Sequence, residues 1–262
     1  NAKQRYLSST SFGWLKNPGK TAELIAMSDL VIAGNQYLAS YAKRHNKNVV
    51  IIPTTIDTKE YVSVRSVVRL SGAEVNDADS NSSLLGSARS DKSSPICIGW
   101  SGSITTIKHF EFALPFLREL KKKYGSQIEI KVIGDGSYVN EELGIRGIAW
   151  KKDDEIKELS SFDIGIMPLP DDEWAKGKCG LKGLQYMALG IPTVMSPVGV
   201  NTEIIQDGEN GMLATTTDEW VEKLTALINS SALRSSIGEK ASATVESRFS
   251  VKSLKRVYLE TF

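Results

Sequence analysis

Four stretches of the chain hold residue types able to bind and stabilise an anionic substrate. The first is Ile98-Gly99-Trp100-Ser101-Gly102-Ser103, which runs through Thr105 and Thr106 into a helix containing Lys108. Glycine lets the backbone come close to a pyrophosphate, free N–H groups at a helix start point towards it, and the helix dipole favours its charge. Lys108 adds a point charge. The same composition also suits an ordinary strand-to-helix turn, and neither G-x-G-x-x-G nor G-x-x-x-x-G-K-[ST] is present. The second stretch is Val132-Ile133-Gly134-Asp135-Gly136, readable as a ligand loop or as a simple turn.

The third runs from Phe162-Asp163-Ile164-Gly165-Ile166-Met167 into Pro168-Leu169-Pro170 and then Asp171, Asp172 and Glu173. Asp171 and Glu173 have the spacing of a divalent-metal motif, and the same residues equally suit a solvated acidic loop. The fourth runs from Gly177-Lys178-Cys179-Gly180 through Leu181-Lys182-Gly183-Leu184-Gln185-Tyr186-Met187-Ala188 to Leu189-Gly190-Ile191-Pro192. A helix starting near Leu181 puts Lys182 and Gln185 on one face and turns Leu184, Met187 and Ala188 to a core. Gly180 and the first helical N–H groups, with that of Leu181 at the start, then meet phosphate. Lys182 pairs with its charge, and Gln185 bonds sugar hydroxyls. An amphipathic helix with solvated polar residues is the bland alternative.

Positioning such groups requires strands that end at the loops. Short β-branched runs alternate with amphipathic stretches, the pattern of βα units in a parallel sheet covered by helices. The spacing predicts strands at 96–99, 128–133, 145–150, 164–167, 193–195 and 211–214, with helices at 107–124, 154–160, 181–189 and 218–228 and more helix over 233–262. The expected fold class is α/β, a Rossmann-like doubly wound parallel sheet whose ligands bind beyond the carboxyl ends of the strands. Earlier in the chain, 29–33 and 49–52 read as strands around a helix at 36–45, too little for a stable domain alone. The Ser-, Asn- and Asp-rich stretch between them and the sheet is too poor in hydrophobes to fold independently. These readings divide the chain into 1–62, a linker or insertion at 63–94, and a ligand-binding domain at 95–262.

Composition narrows the classes of function. Lys and Arg number 32 against 31 Asp and Glu, a net charge of +1 that offers no field for nucleic acid. Two cysteines, Cys97 and Cys179, are too few for a disulfide framework and fit a reducing compartment. The longest apolar runs, about five to six residues, fall far short of a membrane span, and no signal-peptide layout opens the chain. The expectation is a cytoplasmic protein, with peripheral attachment to the inner face of the membrane as a further option. The chain opens on Asn1-Ala2-Lys3 instead of a methionine, which suggests that part of the natural protein is absent.

Taken together and in order, these motifs resemble the retaining family 4 (group 1) glycosyltransferases of the GT-B fold. The match is carried by the glycine turn, Gly134-Asp135-Gly136, Asp163 to Leu169, Lys182-x-x-Gln185-Tyr186-Met187-Ala188-x-Gly190-x-Pro192 and Ser196-Pro197-Val198-Gly199. It extends to Glu203-Ile204-Ile205 and Asp207 to Gly211. The resemblance makes 95–262 the carboxyl-terminal donor domain and Asp29 to Asp57 the tail of an acceptor domain whose remainder is not in the sequence. It implies transfer of a sugar, with retention, from a nucleotide diphosphate sugar to a glycan, lipid or small-molecule acceptor, with no metal and no cofactor. It places Gly102 and Ser103 by the diphosphate and Gly134, Asp135 and the loop after Trp150 near the nucleobase. Lys182 then stabilises the leaving diphosphate, a contribution specific to the transition state, with Lys108 as a second cation.

Two departures stand out against that pattern. The paired glutamates of many family members correspond to Gly177 and Gln185, and Trp100 stands near the place of an arginine. Gln185 can still bond a ribose, whereas Gly177 offers the sugar no side chain. Two alternatives therefore stay open, a GT-B nucleotide-sugar 2-epimerase and a nucleotide-sugar-binding protein without catalysis. An NAD oxidoreductase lacks the glycine fingerprint and the acidic residue after its second strand.

Overall fold

The computed structural model describes residues 19–61 and 94–262. Apart from Ser94, the stretch read as a linker lies outside the described residues. The chain begins with helix α1 (Lys20–Met27), strand β1 (Val31–Ala33), helix α2 (Gln36–Ala42) and strand β2 (Val49–Ile51). β1 and β2 pair in parallel. Of these elements the sequence pattern had not indicated α1, a helix with no buried residue and hence no apolar stripe to read.

The larger unit is a six-stranded sheet made of β3 (Ile96–Ser101), β4 (Ile128–Gly134), β7 (Ile148–Ala149), β8 (Ile164–Met167), β9 (Thr193–Met195) and β10 (Met212–Leu213). Every pairing in it is parallel, and the spatial order is β10-β9-β8-β3-β4-β7. The chain starts in the middle at β3, winds out through β4 to β7, returns to the other side of β3 and winds out again. This is the doubly wound topology expected from the alternation, with its switch point between β3 and β8.

Strand side chains sort by parity onto the two faces. Ile98, Trp100, Ile164, Ile166 and Val194 join a cluster with Phe116, Leu117 and Leu120 of α4 (Leu114–Tyr124). Trp220, Leu224 and Leu227 of α9 (Thr217–Asn229) complete that layer, and the Phe116 and Trp220 rings stack at 4.5 Å. On the opposite face Met167 and Met195 pack with Leu184 and Met187 of α7 (Leu181–Ala188) and with Ala241 and Val245 of α10 (Ser231–Arg248). Each such buried side chain contributes about 1.5–3 kcal/mol. Burial on both faces explains why β8 is apolar throughout.

Three expected elements are divided. The strand read at 145–150 is cut at Gly147, where Asp135 O would lie 1.9 Å from a β-carbon. Its first half, β6 (Ile145–Arg146), pairs antiparallel with β5 (Val139–Asn140), and only β7 joins the sheet. The first long helix begins with a 3-10 turn (Ile104–Thr106) and short α3 (Ile107–Phe110), and a second 3-10 turn (Glu111–Ala113) precedes α4, whose second residue is Pro115. The terminal helix breaks between α10 and α11 (Val251–Thr261), where Ser250 caps α11 by accepting from Ser253 N at 2.9 Å. At that break the early segment meets the late one. Ile56 N donates to Phe249 O at 2.8 Å and Val251 N to Ile56 O at 3.0 Å.

Helix α7 is fixed to the sheet by Tyr186, a fully buried residue. Its hydroxyl accepts the Ser101 N–H at 2.7 Å and exchanges a hydrogen bond with Ser101 Oγ at 2.8 Å, at the carboxyl end of β3. Removing it strands a buried N–H donor, which costs about 1–3 kcal/mol. Tyr186→Phe is therefore expected to lower unfolding stability by about that amount, measured as a shift of the urea midpoint at unchanged slope.

Candidate functional site

A cavity of about 680 Å³ opens at the carboxyl ends of β3, β4 and β8, at the switch point of the sheet. That volume lies within the range of ligand-binding clefts. Its walls come from the loop after β3, the loop after β8 and the first turn of α7. Ten residues were singled out from sequence as catalytic or binding. Gly102, Ser103, Gly134, Trp150, Gly180, Leu181, Lys182 and Gln185 all line it, whereas Lys108 and Asp135 do not.

The two glycine loops meet at the cavity floor. Gly102 N donates to Ile133 O at 2.8 Å. Gly134 has φ 138°, and a β-carbon there would lie 2.5 Å from Gly102 O. Only glycine satisfies both the backbone angle and the approach. Asp135 bends away in its own turn, accepting from Ser137 N at 2.9 Å and Ser137 Oγ at 2.6 Å, the simple-turn reading of that triplet. Ser103 is exposed at the mouth and accepts or donates to Thr105 and Thr106 hydroxyls at 3.0 and 3.1 Å.

Gly180 is the N-cap of α7, with φ 72°. A β-carbon there would lie 2.4 Å from Ile204 Cδ1, so the start of the helix depends on glycine. The first N–H groups of an α-helix have no partner inside it, and here those of Leu181, Lys182 and Gly183 begin a helix whose first residues line the cavity. This end of α7 offers both free donors and the positive end of the helix dipole.

Lys182 sits beside those donors. Its Nζ donates to Thr106 Oγ1 at 3.3 Å and lies 4.6 Å from the centre of the Trp100 ring. Trp100, the residue near the expected arginine position, thus supplies an aromatic face that holds the ammonium by cation–π attraction. Burial, and then the charge of Lys178, lower the Lys182 ammonium to about 8. Lys178 also lines the cavity, its Nζ 5.2 Å from the centre of the exposed Trp174 ring. Burial lowers Lys178 too, with Lys108 acting in the same direction. Among the described residues no carboxylate forms an ion pair with Lys108, Lys178 or Lys182.

The acidic loop makes other contacts. Asp172 Oδ1 accepts from Ala175 N at 2.8 Å, capping α6 (Glu173–Lys176), and Asp171 pairs with Lys176 at 3.0 Å. Glu173 is exposed and does not line the cavity. It therefore does not supply the carboxylate that Gly177 lacks.

A second arrangement, not foreseen from sequence, closes the far side. Gln185 Nε2 donates to Tyr61 Oη at 2.6 Å, and Tyr61 Oη donates to Glu155 Oε2 at 2.8 Å. Trp150 Nε1 donates to Glu155 Oε1 at 2.8 Å. Burial, foremost, pushes the Tyr61 phenol up to about 12, so it stays a donor. Among the described residues Glu155 is the one carboxylate lining the cavity. Tyr61 comes from the early part of the chain, and no local motif links it to Gln185. Asn35, another early residue, donates from Nδ2 to Lys178 O at 3.0 Å.

The sequence model described as Glycosyl transferases group 1 matches residues 95–230, just over half of the chain. No curated protein matches it in sequence. Among solved structures, a sucrose-phosphate synthase from Thermosynechococcus elongatus superposes over 98% of this chain and 64% of its own at 12% identity and TM-score 0.63. The chain thus spans less than two thirds of that enzyme's length. Anabaena HepE, crystallised with UDP and glucose, aligns over 94% of this chain and 67% of its own at 16% identity and TM-score 0.67. The C-terminal domain of a group 1 glycosyl transferase (LpcC) from Francisella tularensis aligns over 75% of this chain and 99% of its own at 18% identity and TM-score 0.52. At such identities the superpositions speak for the fold, and the sequence match speaks for the family: the chain belongs to the group 1 glycosyl transferases.

Proposed function

We propose that this chain is the donor-binding part of a retaining glycosyltransferase that takes a sugar from a nucleoside diphosphate sugar. The observation that carries the reading is Lys182, an ammonium without an ion-pair partner among the described residues, at the free N–H end of α7 and inside a cavity at the switch point. Burying a cation among cations is unfavourable unless an anion arrives. A diphosphate fits that requirement, and its charge grows as the glycosidic bond breaks. Lys182 then contributes more in the transition state than in the ground state. The free N–H groups of Leu181 to Gly183 share the load. UDP bound to HepE supports uridine as the first base to test. The base is assigned to the side of Gly134 and Trp150, where Glu155 supplies an acceptor.

The acceptor, a glycan or lipid, is assigned to an amino-terminal domain of which residues 19–61 are the tail. Leu24, Met27, Ile32 and Ile51 are exposed there, and two strands alone make a marginal unit, which supports a larger sheet beside them. A second reading, nucleotide-sugar binding without transfer, is favoured by Gly177 and by Gln185, whose amide is held by Tyr61. Product analysis with UDP-sugars, with and without an acceptor, separates these two and would also reveal a 2-epimerase.

Three outcomes are expected. Lys182→Ala weakens UDP binding by about 1–3 kcal/mol, the scale of a charged hydrogen bond; an unchanged enthalpy and affinity in calorimetry removes its assigned role. A second outcome concerns pH. Because the free ammonium titrates at about 8 and a bound anion raises that value, binding above it takes up a proton. UDP affinity therefore falls as pH rises past about 8, approaching about tenfold per unit, and Lys182→Ala loses this dependence. Finally, the 262-residue chain by itself transfers no sugar to added acceptors, and multiple turnovers by it would sink the assignment of the acceptor to another domain.

A further inference from the structure

His109 is a cavity residue to which the donor reading gives no role. It lies in α3 and is 5% exposed, and its side chain lines the cavity. Among the described residues nothing hydrogen-bonds to its ring. Buried imidazoles are ordinarily satisfied, because an unmade hydrogen bond away from water is costly. Among those residues the one buried side-chain polar atom cut off from both solvent and partner is Asn201 Oδ1. The ring nitrogens of His109 therefore keep their access, and that access is through the cavity.

The groups facing it explain its state. Burial first, and then Lys178, Lys182 and Lys108, bring the ring down to about 4, with Asp172 opposing weakly. Near neutral pH the imidazole thus has one N–H donor and one acceptor nitrogen, in the middle of three ammonium groups that lack counter-ions.

We propose that His109 contacts the diphosphate directly, donating a ring N–H to a phosphoryl oxygen. The proposal rests on the donor reading and adds a contact by a residue neutral at neutral pH. Burial is the larger cause of the neutral ring, and an anion among the three lysines offsets the second cause, their field. His109 in the complex is accordingly easier to protonate, the proton coming from solvent.

The chain has two histidines, His45 and His109, and His45 is exposed on the early segment, so it serves as an internal reference. Ring resonances of isotope-labelled protein are followed between about pH 3 and pH 8 with and without saturating UDP. The expected result is a rise of the His109 midpoint by about one unit or more, the scale of a nearby opposite charge, with His45 unmoved. Bound UDP that leaves His109 unmoved overturns this proposal alone. Failure of UDP to bind overturns the donor reading and this proposal with it. As a second arm, His109→Phe keeps a buried ring but no donor. It is expected to raise the UDP dissociation constant about tenfold, and an unchanged constant in folded variant protein also overturns the contact.

Discussion

The site depends on where helix α7 begins and how it is held. Gly180 starts the helix in a left-handed conformation that favours glycine, with Ile204 Cδ1 close by, and Tyr186 holds it to β3 through Ser101. Between those two points the helix has no freedom to rotate, so Lys182 and Gln185 face the cavity while Leu184 and Met187 face the core. The glycine loops of β3 and β4 meet under the same helix end. Displacing α7 by one residue would turn the apolar stripe into the cavity and the ammonium into the core.

Electrostatics sets a second constraint. Lys178 and Lys182 line a cavity whose one lining carboxylate among the described residues is Glu155, and that carboxylate is already engaged by Tyr61 and Trp150. The protein therefore carries unbalanced positive charge at a partly buried place, which disfavours the empty state. Trp100 eases this, because its ring attracts the Lys182 ammonium without neutralising it. An arginine in its place would add a third cation to the wall, whereas an aromatic face holds the existing one in position.

The sheet was legible because its strands are short apolar runs between glycine turns, and the sorting of Ile98 and Ile164 from Cys97 and Met167 follows from strand alternation. Lys182 and Gln185 were legible from helical spacing on one segment. His109 was not: a histidine between Lys108 and Phe110 reads equally as core, and only the fold shows that its ring lies in the cavity wall. Tyr61 and Glu155 were hidden for a different reason. Their contact with Gln185 joins three distant segments, and a single sequence carries no signal of such a meeting. The break at Gly147 was missed because Ile145 and Ile148 read as one strand, and nothing local shows the close approach of the Asp135 carbonyl from another turn.

The pairing of Ile56 with the Phe249 to Val251 segment has a consequence for the order of assembly. A contact between segments so far apart in sequence has a large loop-closure entropy to overcome, and such non-local contacts slow folding. The backbone partners of Ile56, Phe249 and Val251, lie far along the chain from it, so the closure waits for distant segments to meet. The six-stranded sheet is complete in sequence well before Phe249. The closure is therefore a late event, and a truncation just before Phe249 should leave a folded sheet whose early segment has lost its backbone anchor.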